Sequence, residues 1–449
     1  MKYFISLFFS TLVPMLSAQQ MLDEYIALGL ESNLALKQKE SGYKVSLEAL
    51  REARGMFYPS LSLNARYTVS EGGRAIYFPV GDLLNPVYAT LNQLTGTNMF
   101  PPAENQEILF LRPTEHETKF RLVQPVLNTD IYYNARIRKE LVTTEETGID
   151  QYKRELICEI KKAYYNVGMT VSLLEMLKET RLLLLENVRV NTRLFENSKV
   201  TRDNLLRSQT ELSKLDQQLQ LALKNKQVAR AYFNFLLNRS LSDSIIVESP
   251  TVLQMPEKPQ DYFTRQAVET REEIRNLENY SFITDLSTKM YRSSGLPNVF
   301  LLADYGYQGE NYTFNKDQDY MQASLVLTWD LFNGLQNRSK IRQSLAQKEM
   351  IEQKLNEARN QVELQVITVM SELKATEAAI RAAEDQAKSA REGFRLVNRK
   401  YGEGQATLVE FLDARSAMTQ ADASLIVLKY THLSNLAEFE KTISGYQPQ

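Results

Sequence analysis

Cysteine and histidine are scarce in this chain: 449 residues include one cysteine, Cys158, and two histidines, His116 and His432. A single thiol forms neither a disulfide framework nor a thiolate metal site. No nucleophile or orienting turn accompanies either histidine, so the sequence predicts no enzymatic activity, no cofactor and no metal site. The net charge of −2 lacks the basic excess that is typical of nucleic-acid-binding proteins.

Long apolar runs are also absent after the first residues. Residues 3–16 are mostly apolar, follow Lys2 and precede the small residues Ser17 and Ala18, which is the pattern of a secretory signal peptide. We expect a signal peptide at residues 1–18; a buried first helix is the alternative. No later stretch approaches about 18 uninterrupted apolar residues, so any membrane-inserted part of the chain would have to consist of strands.

The thirteen prolines are unevenly distributed, with none between Val126 and Ser249 and none between Asn298 and Gln447. Because proline removes a hydrogen-bond donor and clashes with the preceding turn, these two stretches are free to form long helices. From Val366 onward, core residues recur at alternating steps of three and four, the spacing of coiled-coil packing. The predicted core positions are Leu355, Ala358, Val362, Val366, Val369, Leu373, Thr376, Ile380, Ala383, Ala387, Ala390, Phe394, Val397 and Tyr401.

Each proline-free stretch is predicted to hold two helices that are joined by a short turn. In the second stretch, Gly402 and Gly404 followed by Thr407 in an N-cap position predict a helix-to-helix turn. Residues 197–201 predict the equivalent turn in the first stretch. The predicted long helices are 130–196, 202–238, 334–400 and 407–444.

The two helical hairpins belong to an internal repeat. A shift of 206 residues pairs Phe195 with Tyr401 and Thr201 with Thr407, and the segments before each hairpin also correspond. The sequence therefore predicts two structural repeats with the same order of helix, strand, loop, strand, long helix, turn and long helix. The repeats are 19–240 and 241–449, with leading helices at 20–56 and 261–293 and an equatorial segment at 240–260.

Four segments alternate apolar and polar residues and are predicted to be strands: 60–70, 117–124, 298–308 and 319–329. Two opposite faces over about ten residues suit a membrane barrel with lipid outside and water inside, and equally a half-buried sheet in a soluble domain. A barrel in lipid must close, and about eight strands is the smallest number that packs. If these strands are in a membrane, several chains must therefore share one barrel.

These features together resemble the TolC family of outer-membrane efflux proteins. The resemblance rests on the duplicated hairpins, the paired strands, Gln-Pro-Val-Leu at 124–127, Trp-Asp-Leu-Phe-Asn-Gly at 329–334 and the segment 401–414. It implies a mixed α+β membrane protein that is mostly α-helical. Four strands per chain would contribute to a shared 12-stranded β-barrel, which a long antiparallel α-helical coiled-coil barrel continues.

The resemblance also implies a function and partners. The expected function is the channel subunit of a tripartite efflux or type I secretion system, forming a trimeric trans-periplasmic duct. The expected location is the outer membrane of a Gram-negative bacterium, with most of the chain in the periplasm. The expected partners are two further copies of the chain, outer-membrane lipid, a periplasmic adaptor (membrane fusion) protein and an inner-membrane pump of the resistance-nodulation-division or ABC type. The alternative is a secreted or periplasmic coiled-coil scaffold without channel activity.

The resemblance assigns roles to residues at the hairpin ends. Glu410 and Asp413 match two acids of the family, and Tyr401 matches a tyrosine that helps to hold the periplasmic entrance shut. These three residues form the predicted periplasmic gate, where a trimer would carry a ring of six carboxylates that favours cations. Solvated acids in a first helical turn and an ordinary core tyrosine are the alternative interpretations. The predicted adaptor-contact residues at the hairpin tips are Gly402, Gly404, Ser198 and Val200.

Two positions depart from the family pattern. Ala406 stands where the family has a basic residue, so the closing contacts must differ and would draw on Arg202, Arg399 or Lys400. Ser198 stands where the family usually has glycine, which weakens the match at the first tip.

The predicted first loop, residues 71–117, is unusually long and contains glycines, prolines and aromatic residues. A variable surface loop, a cover over the barrel mouth and a contact with surface components are all open interpretations of it.

Overall fold

The computed structural model describes residues 18–247 and 258–444. Apart from Ala18, the expected signal peptide lies outside the described residues, and so do residues 248–257 of the predicted equatorial segment. Among the helices of the described part, none has both the length and the apolar character needed to cross a membrane.

The chain divides into two compact units. The helical unit comprises the described residues of Met1–Leu47, Glu140–Thr284 and Ala346–Gln449. The strand unit comprises Glu48–Lys139 and Asp285–Leu345.

Helices account for most of the described residues, and α4 and α8 are the longest, at 68 and 67 residues. The helices are α1 (Ala18–Ser32), α2 (Leu34–Gly55), α3 (Val80–Thr95), α4 (Thr129–Glu196), α5 (Arg202–Leu236), α6 (Gln260–Thr270), α7 (Glu272–Ser293), α8 (Gln336–Gly402) and α9 (Leu408–Thr442). The strands are β1 (Ser60–Val69), β2 (Ala75–Phe78), β3 (Gln106–Leu109), β4 (Thr114–Leu127), β5 (Asn298–Gly309) and β6 (Asp319–Thr328).

The long helices end within two residues of the predicted bounds, whereas both leading helices are divided. The predicted helix 20–56 is interrupted at Asn33. The Asn33 side chain accepts a hydrogen bond from the backbone N–H of Leu36 at 3.0 Å, which starts a new helix, and donates to the Leu236 carbonyl oxygen at 2.9 Å. These side-chain bonds compete with a continuous helix.

The predicted helix 261–293 is divided at Arg271, whose backbone is extended at φ −71° and ψ 133°. The Arg271 side chain is buried and donates hydrogen bonds to Glu273 and Gln365. A buried guanidinium must find acceptors, and the break in the helix lets Arg271 reach them.

Coiled-coil packing stabilises the helical unit. Every predicted core position from Leu355 to Tyr401 is buried or half-buried, and Leu373 is completely buried. Small residues let elements approach closely: a Cβ atom at Gly168 would lie only 2.6 Å from Cε1 of Tyr430. The predicted 3.5-residue period is therefore confirmed as the pattern of the buried face.

The strand unit is built on a four-stranded antiparallel sheet in the order β1-β4-β5-β6, so β1 and β6 are its edges. The register places Leu63, Phe120, Tyr305 and Met321 in one row across all four strands. These side chains are 49–79% exposed, and none is covered by the chain itself. This part of the face is therefore an uncovered apolar surface, whereas near its end Tyr312 and Phe314 pack over His116.

The opposite face of the sheet carries ion pairs in its middle, although Val123 and Leu302 form an apolar pair on the same face. The neighbouring row across the four strands contains Ser62, Arg121, Asp304 and Gln322. Arg121 donates two hydrogen bonds to the Asp304 carboxylate, at 2.8 and 2.7 Å. The alternation predicted from the sequence is thus the division of the sheet into an apolar and a polar face.

Strand β4 is longer than the predicted segment 117–124, because it pairs with β1 on one side and with β5 on the other. The polar residues at the start of β4 interrupt the apolar alternation, but their backbone groups still form hydrogen bonds with the neighbouring strands. The register shifts between Pro125 and Leu127, where proline has no N–H to donate.

The predicted first loop contains regular structure, which corrects its description as a loop from 71 to 117. Strands β2 and β3 pair as an antiparallel ribbon with α3 between them, and β4 already begins at Thr114. We call residues 70–113 the excursion. The sequence did not predict α3 because Pro79 and Pro86 lie at its start and inside it.

Candidate functional site at the hairpin ends

The turns between α4 and α5 and between α8 and α9 have the same backbone. Ser198 and Gly404 occupy equivalent positions, and both have a left-handed conformation, with φ of 55° and 73°. Directly after Gly404, the N–H of Gln405 donates to the Lys400 carbonyl oxygen at 2.8 Å. Directly after Ser198, the N–H of Lys199 makes the equivalent hydrogen bond to the Leu194 carbonyl oxygen at 2.8 Å. Both helices thus end in a left-handed C-terminal cap.

Thr407 and Glu410 form a capping box at the start of α9. The Thr407 hydroxyl accepts from the Glu410 N–H at 3.2 Å, and the Glu410 carboxylate accepts from the Thr407 N–H at 2.6 Å. Hydrogen bonds from the backbone and the hydroxyl of Thr407 lower the pKa of Glu410 below its ordinary value. Glu410 therefore has a structural role that is independent of any gate.

Asp413, the second predicted gate acid, is exposed and forms no hydrogen bond or ion pair within the described residues. It lies one helical turn after Glu410, so both carboxylates lie on the same face of α9. The exposed side of the α8–α9 hairpin end thus carries two neighbouring negative charges.

Tyr401 connects the two hairpins. Its hydroxyl lies 3.0 Å from Nδ2 and 3.2 Å from Oδ1 of Asn191, which is completely buried on α4. Its ring stacks on Phe411 with centroids 4.9 Å apart, and Phe411 also packs against Phe394. Tyr401 therefore occupies a core position and makes a specific polar contact at the same time.

The predicted adaptor-contact residues lie at the two hairpin tips. Gly402 is the last residue of α8 and is exposed, as are Gly404 and Ser198, whereas Val200 is half-buried. The structure thus brings these residues to the ends of their hairpins, where a partner could reach three of them directly.

The basic residues considered as substitutes for the missing family residue do not close this site within one chain. In the described part of the chain, the side chains of Arg202, Arg399 and Lys400 form no ion pair or hydrogen bond, and all three are exposed. A polar contact that does join the second hairpin end to the first hairpin is the pair of Tyr401 and Asn191.

Sequence reasoning missed Asn191 and Arg415. Arg415 on α9 is buried and donates to Glu211 on α5 at 2.9 Å, beside a cavity of about 600 Å³. Burial lowers the pKa of Arg415, although the Glu211 carboxylate acts in the opposite direction. A polar residue at an otherwise apolar heptad position is the signal that could have indicated both residues.

Metal and redox chemistry have no support in the described residues. No group of three or more His, Cys, Asp or Glu side chains there could hold a metal ion. Cys158 is buried, and burial raises the pKa of its thiol to about 12, so it is a poor nucleophile.

Comparison with known proteins shows which proteins this chain is similar to. Residues 267–444, most of the second predicted repeat, match the family described as outer membrane efflux protein. Alkaline protease secretion protein AprF of Pseudomonas aeruginosa is 21% identical over 320 residues, which cover 70% of this chain and 66% of AprF. The match thus spans just under two thirds of that relative.

Solved structures share the fold over nearly the whole chain. The CmeC outer membrane channel of Campylobacter jejuni has a TM-score of 0.78 at 15% identity, covering 95% of this chain and 86% of CmeC. The outer membrane protein VceC of Vibrio cholerae has a TM-score of 0.75 at 14% identity, covering 95% of this chain and 98% of VceC.

The predicted resemblance to the TolC family of outer-membrane efflux proteins is confirmed, and so is the mixed, mostly helical fold class with a few strands in one sheet. The named relatives are outer-membrane proteins, channels and a secretion protein. They agree with the prediction that this chain is not an enzyme.

Proposed function

We propose that this chain is the outer-membrane channel subunit of a tripartite efflux or type I secretion system. Three copies would form a trans-periplasmic duct that an inner-membrane pump and a periplasmic adaptor protein open. The observation that carries the proposal is the sheet, which has a largely uncovered apolar face, a face with ion pairs and, among the described residues, two unpaired edges. The family match of residues 267–444 supports the same conclusion.

The two faces of the sheet suit a barrel wall between lipid and water. Leu61, Leu325 and Met321 are 68–79% exposed on the apolar face, which would be unfavourable in water and is favourable in hydrocarbon. The ion-paired face, with Arg121 and Asp304, suits a water-filled interior.

The unpaired edges require further copies. In lipid, an exposed strand edge leaves backbone groups without hydrogen-bond partners, so β1 of one copy must pair with β6 of another. Three copies give twelve strands from the four of each sheet, which is enough to enclose an open channel. The helical unit would lie outside the membrane, with most of the chain in the periplasm.

The end of the α8–α9 hairpin is the proposed gate. Glu410 and Asp413 from three copies would present six carboxylates, and the pairing of Tyr401 with Asn191 would hold the closed arrangement. Gly402, Gly404 and the first tip with Ser198 and Val200 are the proposed contacts of the adaptor. The capping role of Glu410 is compatible with this proposal, because a capped carboxylate keeps its negative charge.

Membrane extraction and oligomeric state test the channel proposal. We expect the protein to leave the membrane only with detergent and to migrate on gels as a heat-modifiable trimer. Recovery as a monomer in the aqueous periplasmic fraction would instead support the coiled-coil scaffold.

Ion selectivity in planar bilayers tests the gate. The double change Glu410→Gln and Asp413→Asn removes both charges and keeps side-chain shape, so the cap can persist. We expect weaker cation selectivity and weaker block by multivalent cations. Asp203→Asn, which removes an exposed acid from the first turn of α5, is the control. Unchanged selectivity in the double variant would leave Glu410 with its capping role alone.

A further inference from the structure

Helix α3 in the excursion presents its apolar side outward. Asp82 is the only charged residue of α3. Leu83, Val87 and Leu94 are 70%, 52% and 78% exposed, although a helix on a protein surface normally turns such residues inward. Together with Leu84 and Leu91 they form what we call the α3 stripe: Leu83, Leu84, Val87, Leu91 and Leu94.

The opposite side of α3 is held firmly by polar contacts. Asn85 exchanges two hydrogen bonds with the backbone of Ala103, at 3.0 and 2.8 Å. Asn92 does the same with Phe100, at 2.9 and 3.1 Å. At Gly81, a Cβ atom would lie 2.4 Å from the Ala103 carbonyl oxygen, so only glycine allows this approach. The outward position of the stripe is therefore built into the excursion.

The spacing of the stripe suits packing against another helix. Leu84, Val87, Leu91 and Leu94 follow one another at steps of three, four and three, the spacing of a coiled-coil seam. Because the stripe carries no charge, identical helices can meet along it without repulsion between like charges.

The size of the stripe indicates what covers it. Five side chains are far fewer than the about 20–30 residues a side that a free-standing protein interface uses. A separate partner would therefore bind weakly. A second copy held in the same assembly is present at an effective concentration of about millimolar, which makes so small a contact sufficient.

The position of the excursion also indicates that a second copy of the chain covers the α3 stripe. It leaves the sheet at Val69, the end of edge strand β1, and returns at Thr114. Edge strand β1 is where a neighbouring copy has to pair. We propose that the α3 stripes of neighbouring copies pack against one another at this end of the sheet and form a small helical cluster. This inference rests on the proposed trimeric channel.

Disulfide cross-linking tests the cluster. In a Cys158→Ala background, Leu94→Cys places a thiol in the stripe, and Gln93→Cys places one about 100° around the same helix. We expect oxidised trimers with Leu94→Cys to yield about tenfold more cross-linked dimer on denaturing gels than trimers with Gln93→Cys. Adding Val87→Asn to Leu94→Cys should remove most of the cross-link, and it should not affect folding because Val87 is exposed within one chain.

The outcomes separate this inference from the proposed function. Intact trimers with equal or no cross-linking at both positions would overturn the helical cluster and leave the channel proposal standing. Strong quenching of a fluorophore on Leu94→Cys by brominated lipid would also overturn it, in favour of a helix that faces the membrane. Failure of every variant and of the parent to form trimers would overturn the channel proposal, and the cluster with it.

Discussion

The two hairpin ends share one backbone and differ in the side chains that stabilise it. The second end has glycine at its left-handed position, a capping box of Thr407 and Glu410, and the stacked ring of Tyr401. The first end has Ser198 at the left-handed position, and its N-cap residue Thr201 makes no side-chain bond to the backbone. The two ends thus share a backbone geometry, and more of the stabilising side-chain contacts lie at the second end.

A physical reason for the difference lies in the third residue of each helix. Asn204 stands in α5 where Glu410 stands in α9, and its shorter side chain completes no capping box. The Thr201 hydroxyl instead donates to the Asp203 carboxylate. The first end should therefore open more readily, and single substitutions can test this difference.

Phe411→Ala should have the largest effect. Phe411 is 4% exposed and packs between Tyr401 and Phe394, so its removal should cost about 3–5 kcal/mol of local stability. Its counterpart Leu205 is half-buried, and Leu205→Ala should cost roughly half as much or less. Native-state hydrogen exchange on either side of each turn measures both losses. Equal losses would contradict the difference between the ends.

Tyr401→Phe should have the next largest effect. It removes the hydroxyl that bonds to the buried Asn191 side chain, and leaving that amide short of a partner should cost about 1–2 kcal/mol. A double-mutant cycle with Asn191→Leu measures the coupling between the two residues from the free energies of unfolding. A coupling of zero would mean that the pair does not stabilise the second end.

Removing the N-cap hydroxyls should distinguish the two ends. Thr407→Ala loses the capping box and should destabilise the start of α9 by about 1 kcal/mol. Thr201→Ala is the matched variant at the first end. It should destabilise the start of α5 by only about a few tenths of a kcal/mol, because the Thr201 side chain caps no backbone N–H. Thermal unfolding followed by circular dichroism, together with local hydrogen exchange, measures both. A larger effect at Thr201 would reverse the comparison.

Exchanging the residues at the left-handed positions should make the two ends more similar in stability. Ser198→Gly removes a side chain from a φ of 55° and should stabilise the first turn by roughly 0.5–1 kcal/mol. Gly404→Ser should destabilise the second turn by a similar amount. Slower hydrogen exchange at the first tip of Ser198→Gly is the expected result; faster exchange would mean that Ser198 makes a favourable contact that its geometry does not reveal.

Low pH should weaken the capping box at the second end. The pKa of Glu410 is lowered from 4.5, so its cap is fully present above that value and is lost as the pH falls through the lower folded-state pKa. Asn204, the counterpart, does not titrate. Amide exchange at the start of α9, corrected for intrinsic rates, should accelerate below about pH 4.5 relative to the start of α5. Glu410→Gln should remove this difference.

Much of the hairpin site could be predicted from the sequence, because it depends on local chemistry. Gly404 and Thr407 indicated the turn and the helix start, and the heptad spacing placed Tyr401 on the buried face. The partner of Tyr401 could not be predicted in this way. Asn191 precedes it by 210 residues, and only the packing of α4 against α8 brings the two side chains together.

The leading helices and the excursion illustrate the same limit. Asn33 and Arg271 interrupt helices because of acceptors and donors that lie far along the chain or on other elements. In the excursion, Pro86 lies inside α3, and the helix is held there by the Asn85 and Asn92 contacts. Local propensity is a weak guide where distant polar partners compete with it.

The sequence by itself predicted two repeats, and it determined the long helices, the turn residues and the alternation of the strands, because each of these is a periodic or local property of the chain. Tertiary structure decided the order β1-β4-β5-β6, the row of exposed apolar side chains from Leu63 to Met321, and the contact of Tyr401 with Asn191. These depend on which elements meet. That choice is governed by the summed burial of many side chains and by the satisfaction of buried polar groups, and no single segment contains either.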